Sequence, residues 1–181
     1  RRDSSYEALK TLTRGVARAA ADLLNAEVGG RALCVGGVWE FFAPGPRLAE
    51  LVCLDLSAPM LESYAPAGAE KVVGDLFATE LPEQSFDVVV FSLILHHVAQ
   101  GGWSECEGRI RDALARALRW LKPGGAVVIL EYCPHPAWMS VQRLLLPLTR
   151  LLLKLVGQPL VVMHDRGFYE RELAAAGFTA A

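Results

Sequence analysis

The run Leu121-Lys122-Pro123-Gly124-Gly125-Ala126-Val127-Val128-Ile129-Leu130-Glu131 decides the fold. A helical pattern stops on Pro-Gly-Gly, because proline has no N–H to donate and glycine accepts the backbone that ends a helix. Ala126 to Leu130 follows as an unbroken apolar run, the pattern of a strand covered on both faces. Asp87 to Phe91 reads the same way upstream. Between them, Ser104-Glu105-Cys106-Glu107 has the form of a capping box. Ile110, Leu114, Ala117, Leu118 and Leu121 then share one helical face. Strand, helix, strand implies a right-handed crossover and a parallel sheet.

The same grammar extends outward. Arg31 to Val35, Leu51 to Leu54 and Glu70 to Val73 are expected strands. Ser57 caps a helix opened by Ala58-Pro59, and Arg166 to Ala176 forms a last helix ended by Gly177. At the start, Ser4-Ser5-Tyr6-Glu7 reads as a second capping box, followed by a helix that Gly29-Gly30 stops. The expectation is an α/β fold, Rossmann-like, with a doubly wound, mostly parallel sheet. One domain over 1–181 is expected: a helical cap over 1–30, a core over 31–133, an apolar helical insertion over 134–165 and the last helix over 166–181.

Bulk properties narrow the function. The 181 residues are 52% hydrophobic with a formal charge of −2, which gives no general attraction to nucleic acid. Mean hydropathy is +0.29, high enough that some apolar surface should have a use. Cys34, Cys53, Cys106 and Cys133 form no CxxC pair and read as core thiols in a reducing compartment, with no metal role. The opening Arg1-Arg2-Asp3-Ser4-Ser5 is not a signal-peptide pattern, and no apolar run is long enough to span a bilayer. A cytoplasmic protein is expected.

Four strand ends carry residues suited to a ligand, as the carboxyl edge of a parallel sheet should. They are Gly36-Gly37, Asp55-Leu56, Asp75-Leu76 and Ser92-Leu93, the last leading to His96-His97. In combination, Arg31 to Leu130 resembles the class I S-adenosylmethionine (SAM)-dependent methyltransferases, and small-molecule, type 11-like members in particular. The resemblance implies SAM as cofactor and S-adenosylhomocysteine as product. It implies that Asp55 binds the ribose hydroxyls, with Leu56 beside it and Met60 near the adenine. Asp75 would receive the adenine amino group and the Leu76 N–H would meet the ring. Ser92 and Leu93 would lie near the methionine part, and His97 or His96 would face the substrate. Gly36 and Gly37 would bring backbone N–H groups to the cofactor.

The glycine loop departs from the family. Cys34 stands where an acidic residue is usual, and Val38 and Glu40 stand where later glycines are usual. A nicotinamide-binding domain is the nearest competitor, since Asp55 follows Gly36 at about the twenty-residue spacing such domains use. GxGxxG is absent, however, and Asp75 and Lys122-Pro123-Gly124-Gly125 have no place there.

Methyl transfer needs alignment and exclusion of water, plus a base only if the acceptor loses a proton. His96 and His97 are the candidates. His135 and His164 are read as surface or packing residues. The insertion sets substrate choice. Leu144 to Val156 is leucine-rich and apolar, Arg143, Arg150 and Lys154 share one stripe, and Pro147 should kink the helix. It reads as a lid over an apolar acceptor, with a dimer interface or a peripheral membrane contact through 141–156 as rivals. The resulting expectation is methylation of a small, largely apolar metabolite of secondary metabolism. Two alternatives stand: a SAM-binding, non-methylating, cyclase-like enzyme, or a non-catalytic partner subunit. The family continues past a glycine like Gly177 into two further strands, so the sheet is expected to be incomplete or the chain a fragment.

Overall fold

The computed structural model describes residues 18, 22, 24–26, 28–37, 46–99, 101–155, 157 and 160–179. The expected capping box at Ser4-Glu7 and the departures at Val38 and Glu40 lie outside them. Five strands pair in parallel in the order β3-β2-β1-β4-β5. They are β1 (Gly30–Gly36), β2 (Leu48–Asp55), β3 (Glu70–Val73), β4 (Phe86–Ser92) and β5 (Leu121–Leu130). The helices are α1 (Ala58–Tyr64), α2 (Trp103–Trp120), α3 (Pro136–Leu155) and α4 (Arg166–Ala175), with a short 3₁₀ turn at Leu95–His97. The described sheet is wholly parallel, where a mostly parallel one was expected.

The chain divides into two compact units. One holds residues 1–92 and 119–130, and the other holds 93–118 and 131–181.

The sheet forms the first unit. Ala32, Cys34, Leu51, Cys53, Val88 and Val90 turn to one face, where they pack with Leu24, Val28, Leu61 and Tyr64 of the flanking helical segments. Leu33, Val35 and Val89 point the other way and are also buried. Burial on both faces explains why these strands are continuous apolar runs. Ser57 caps α1 as expected, its hydroxyl accepting from the Met60 N–H. Cys34, Cys53 and Cys106 are buried thiols, but Cys133 is exposed and is no core residue.

The Pro-Gly-Gly stretch behaves differently from the expected turn. The strand begins at Leu121, directly after α2, and not at Ala126. Leu121 pairs with Phe86 and Ala126 with Val88, so Lys122 to Gly125 bulge out of the ladder. Gly124 takes φ +80°, which favours glycine. A Cβ on Gly125 would lie 3.0 Å from the Asp87 and Lys122 carbonyl oxygens, so the bulge admits no side chain there. The Lys122 ammonium reaches both oxygens of Asp87 at 2.9 and 2.8 Å. Asp87 Oδ2 also accepts the Arg31 N–H at 2.8 Å. One carboxylate thereby ties the bulge to the start of β1, and Lys122 beside it holds its pKa below the usual carboxylate range.

The second unit is helical. Arg111 on α2 forms a two-pronged ion pair with Glu172 on α4, at 2.8 and 3.0 Å. Trp103, His164, Phe168 and Tyr169 make an aromatic cluster in which His164 stacks on Phe168 at 4.0 Å. The side chain of Gln142 holds α3 by two bonds to the Met163 backbone. The capping box expected at Ser104–Glu107 is not formed: α2 begins at Trp103, and Glu107 accepts the indole N–H of Trp103 at 2.7 Å.

Two glycines should respond oppositely to alanine. Gly125→Ala meets backbone atoms and should cost about 1–3 kcal/mol, the overpacking range. Gly108, inside α2, has open space at its Cβ, and Gly108→Ala should stabilise by roughly 0.5–1 kcal/mol. Urea unfolding of both variants checks the pair.

Candidate functional site

The strand order reverses between β1 and β4, and a parallel sheet opens for ligands at that point. Gly36 pairs with Ser92 across the switch, and the Gly37 N–H donates to the Ser92 carbonyl at 3.0 Å. Gly36 adopts φ +91°, so the chain turns away from the sheet at the strand end. A Cβ on Gly37 would touch nothing within 4 Å among the described residues. Beside it, the Ser92 hydroxyl is buried with no hydrogen-bond partner. An orphaned buried hydroxyl costs free energy, so it marks a place where a ligand atom or water is wanted.

Asp55 closes β2 and Asp75 follows β3. Asp55 pairs with Val73, and its carbonyl accepts the Gly74 N–H at 2.9 Å, so the two aspartates end neighbouring strands. Each uses Oδ1 to accept the N–H two residues on, from Ser57 and from Phe77, both at 2.7 Å. These Asx turns steer the chain off the sheet edge. The second oxygen of each carboxylate accepts nothing from the described residues. Burial raises the Asp55 pKa above its usual value, and the Ser57 N–H partly offsets this. Leu56 is exposed beside Asp55, Leu76 is buried beside Asp75, and Met60 packs against the sheet core.

The histidines belong to the second unit. Leu93 enters it with φ +51°, a strained backbone for a branched residue. The following 3₁₀ turn separates the pair. His96 is buried, and its Nδ1 meets Glu131 Oε2 at 2.6 Å. Glu131 Oε1 accepts the Leu95 N–H at 2.6 Å. The Glu131 side chain is 1% exposed and both its oxygens are occupied, so it orients His96. His97 is exposed, and neither of its ring nitrogens has a partner among the described residues. Although the residue as a whole is exposed, crowding around its ring desolvates the imidazole and, with the neighbouring His96, lowers its pKa from 6.5 to about 4, while Glu131 opposes the shift. The ring is therefore neutral throughout the physiological range. Glu131 was not among the expected site residues. Its signal was present in an acidic side chain directly after the apolar run of β5, the same rule that singles out Asp55.

A five-stranded parallel sheet with a glycine turn at its switch point and carboxylates at two neighbouring strand ends is a Rossmann-like, class I methyltransferase architecture. The family model described as methyltransferase domain matches residues 32–129, and the chain belongs to that family. It is 30% identical over 168 residues to phosphoethanolamine N-methyltransferase 3 of Arabidopsis thaliana, covering 87% of this chain and 30% of that protein. It is 36% identical over 106 residues to the ubiquinone/menaquinone biosynthesis C-methyltransferase UbiE of Dinoroseobacter shibae, covering 54% of this chain and 38% of that protein. The chain thus spans about a third of the length of these relatives. A SAM-dependent methyltransferase from Archaeoglobus fulgidus shares the fold at TM-score 0.67 and 16% identity, over 98% of this chain and 75% of that one.

The family's cofactor is SAM, and the residues present fit it. The Ser92 hydroxyl lacks a partner, Asp55 and Asp75 each offer an unused oxygen, and space is open beside Gly37.

Two variants test the fit. Gly37→Val should leave the thermal midpoint within a degree or two and weaken S-adenosylhomocysteine binding at least tenfold, read by calorimetry. Asp55→Asn should move stability and affinity in opposite directions. The raised pKa means that Asp55 favours the folded state only below its unfolded value of 3.8, and opposes it as pH rises through the folded pKa. At pH 7 the neutral Asn keeps the Ser57 bond and should raise the ligand-free midpoint. That gain should vanish towards pH 3, while cofactor affinity at pH 7 falls.

Proposed function

We propose that this chain transfers the methyl group of SAM to a small, largely apolar metabolite. One observation carries the reading: the paired Asx-turn carboxylates of Asp55 and Asp75, each with one oxygen available, on neighbouring strand ends. As ends of adjacent strands, roughly 5 Å apart in a sheet, they are placed to take the ribose and the adenine of a single nucleoside. Asp55 accepts from the two ribose hydroxyls, and charge-assisted bonds make that grip stronger than a neutral pair. Asp75 accepts from the adenine amino group, with the Leu76 N–H and the Met60 side chain beside the ring. Gly36, Gly37, Ser92 and Leu93 hold the methionine part. When bound, SAM supplies a carbon already activated by its sulfonium, so the protein's work is alignment and exclusion of water.

His97 takes the acceptor's proton. Its neutral imidazole and open ring nitrogens suit it to that role, and His96, held by Glu131, fixes the turn that carries it. The apolar acceptor is supported by likeness to a protein named for quinone C-methylation. A phosphoethanolamine enzyme is also similar, so the two acceptor classes are the natural comparison.

Turnover is measured as S-adenosylhomocysteine released from SAM with a demethylquinone or, in parallel, phosphoethanolamine. Release with the quinone alone supports the proposal. SAM that binds and stays unconverted with either acceptor indicates the non-methylating reading, and absence of SAM binding indicates a partner subunit. For a proton-losing acceptor, the acid limb of kcat/KM should lie below pH 6, because His97 stays neutral down to about 4. His97→Ala should abolish that limb and lower kcat by roughly 10²–10⁴-fold, the usual contribution of a general base.

A further inference from the structure

We propose that α3 is a peripheral docking helix for a bilayer containing anionic phospholipid. This rests on the second unit alone and is independent of methyl transfer. α3 has three distinct faces. Met139, Gln142, Leu146 and Leu153 form its seat: Leu146 is buried, and Gln142 bonds the Met163 backbone. Away from the seat, Leu144, Leu145, Leu148, Leu151, Leu152 and Leu155 face solvent, with Leu144 79% and Leu155 74% exposed. At 100° per residue these leucines cover one broad side of the helix. Trp138, also exposed, lies at its amino-terminal margin.

The third face supplies the charge. Arg143, Arg150 and Lys154 fall within about 40° of arc, between the seat and the leucines. None of them forms an ion pair among the described residues. Arg143 only lies over the Trp103 ring, at 5.8 Å. Several cations elsewhere are matched, Arg31 with Glu50, Lys71 with Glu62, Arg111 with Glu172 and Lys122 with Asp87. Residues 132–164 contain no Asp or Glu.

These features select one occupant. A monomer rarely leaves so large an apolar face in water without a use for it. A second copy docked on the same face would set three cations of each helix against a partner helix that has no carboxylate. A bilayer accepts the leucines among its acyl chains and the tryptophan at its interface. The long Arg and Lys stems lift their charges to phosphate level. No described helix is long and apolar enough to cross a membrane, so the contact is parallel to the surface. Each cation near an anionic leaflet strengthens binding by roughly fivefold.

The test is vesicle co-sedimentation of the whole chain. Phosphatidylcholine vesicles are compared with mixed phosphatidylcholine–phosphatidylglycerol vesicles at low and high salt. The proposal expects binding to the mixed vesicles only, lost in high salt. The double variant Arg150→Glu/Lys154→Glu should lower the partition coefficient at least tenfold. Leu144→Ser/Leu155→Ser should lower it similarly while leaving the circular dichroism and thermal midpoint unchanged, because both positions are exposed. Equal binding to neutral and anionic vesicles overturns the proposal, as does no binding to either. A concentration-dependent dimer in light scattering that the leucine variant dissolves, with vesicles ignored, assigns the face to a second copy and also overturns it.

Discussion

Parallel pairing of β1 with β4 is the constraint on which the first unit depends. Gly36 opposite Ser92, with the Gly37 N–H on the Ser92 carbonyl, fixes where the sheet reverses its strand order. That pairing places a positive-φ glycine and an unsatisfied buried hydroxyl side by side. It also sets the frame from which β2 and β3 run outward, so that Asp55 and Asp75 emerge at the same edge. At the opposite edge, Asp87 binds the Arg31 N–H and Lys122 together. The sheet is therefore fastened by a satisfied carboxylate at one edge and left with unsatisfied acceptors at the other. That asymmetry separates an acid whose bonds are made within the fold from acids with an oxygen left over, within one unit.

The same criterion sorts the remaining polar groups. Both oxygens of Glu131 are taken, by the Leu95 N–H and by His96, so Glu131 builds the turn. His97, next in sequence to His96, has its ring nitrogens open and its charged form disfavoured. A buried group with every bond made is scaffold, and a group with bonds left over is a candidate for chemistry.

Much of this was legible in the sequence, because the dominant signals are local. The strands over 31–35, 51–54 and 87–91 are visible as largely apolar runs, since a strand buried on both faces has no polar side to confuse the pattern, whereas Glu70–Val73 is an exposed edge strand. Ser57 as a helix cap and Gly177 as a helix stop are also local, and both stand. The departures are tertiary. The Pro-Gly-Gly stretch signals a helix end, but only the register against Phe86 and Val88 shows that it is a bulge inside a strand. Ser104 with Glu107 satisfies the capping-box pattern, yet the Trp103 indole takes the glutamate. Glu131 matters because of Leu95 and His96, which are far from it in sequence. The position of the two aspartates at strand ends was legible. Their readiness was not, since an unused oxygen is visible only when every neighbouring N–H has been placed.

The central claim is that Asp55 and Asp75 hold two parts of one nucleoside. A crystal structure of the chain soaked with S-adenosylhomocysteine measures this directly. The account predicts both ribose hydroxyls within hydrogen-bonding distance of the second Asp55 oxygen, and the adenine amino group on that of Asp75. Density for the ligand away from these strand ends, or either carboxylate turned from the adenosine, would contradict it.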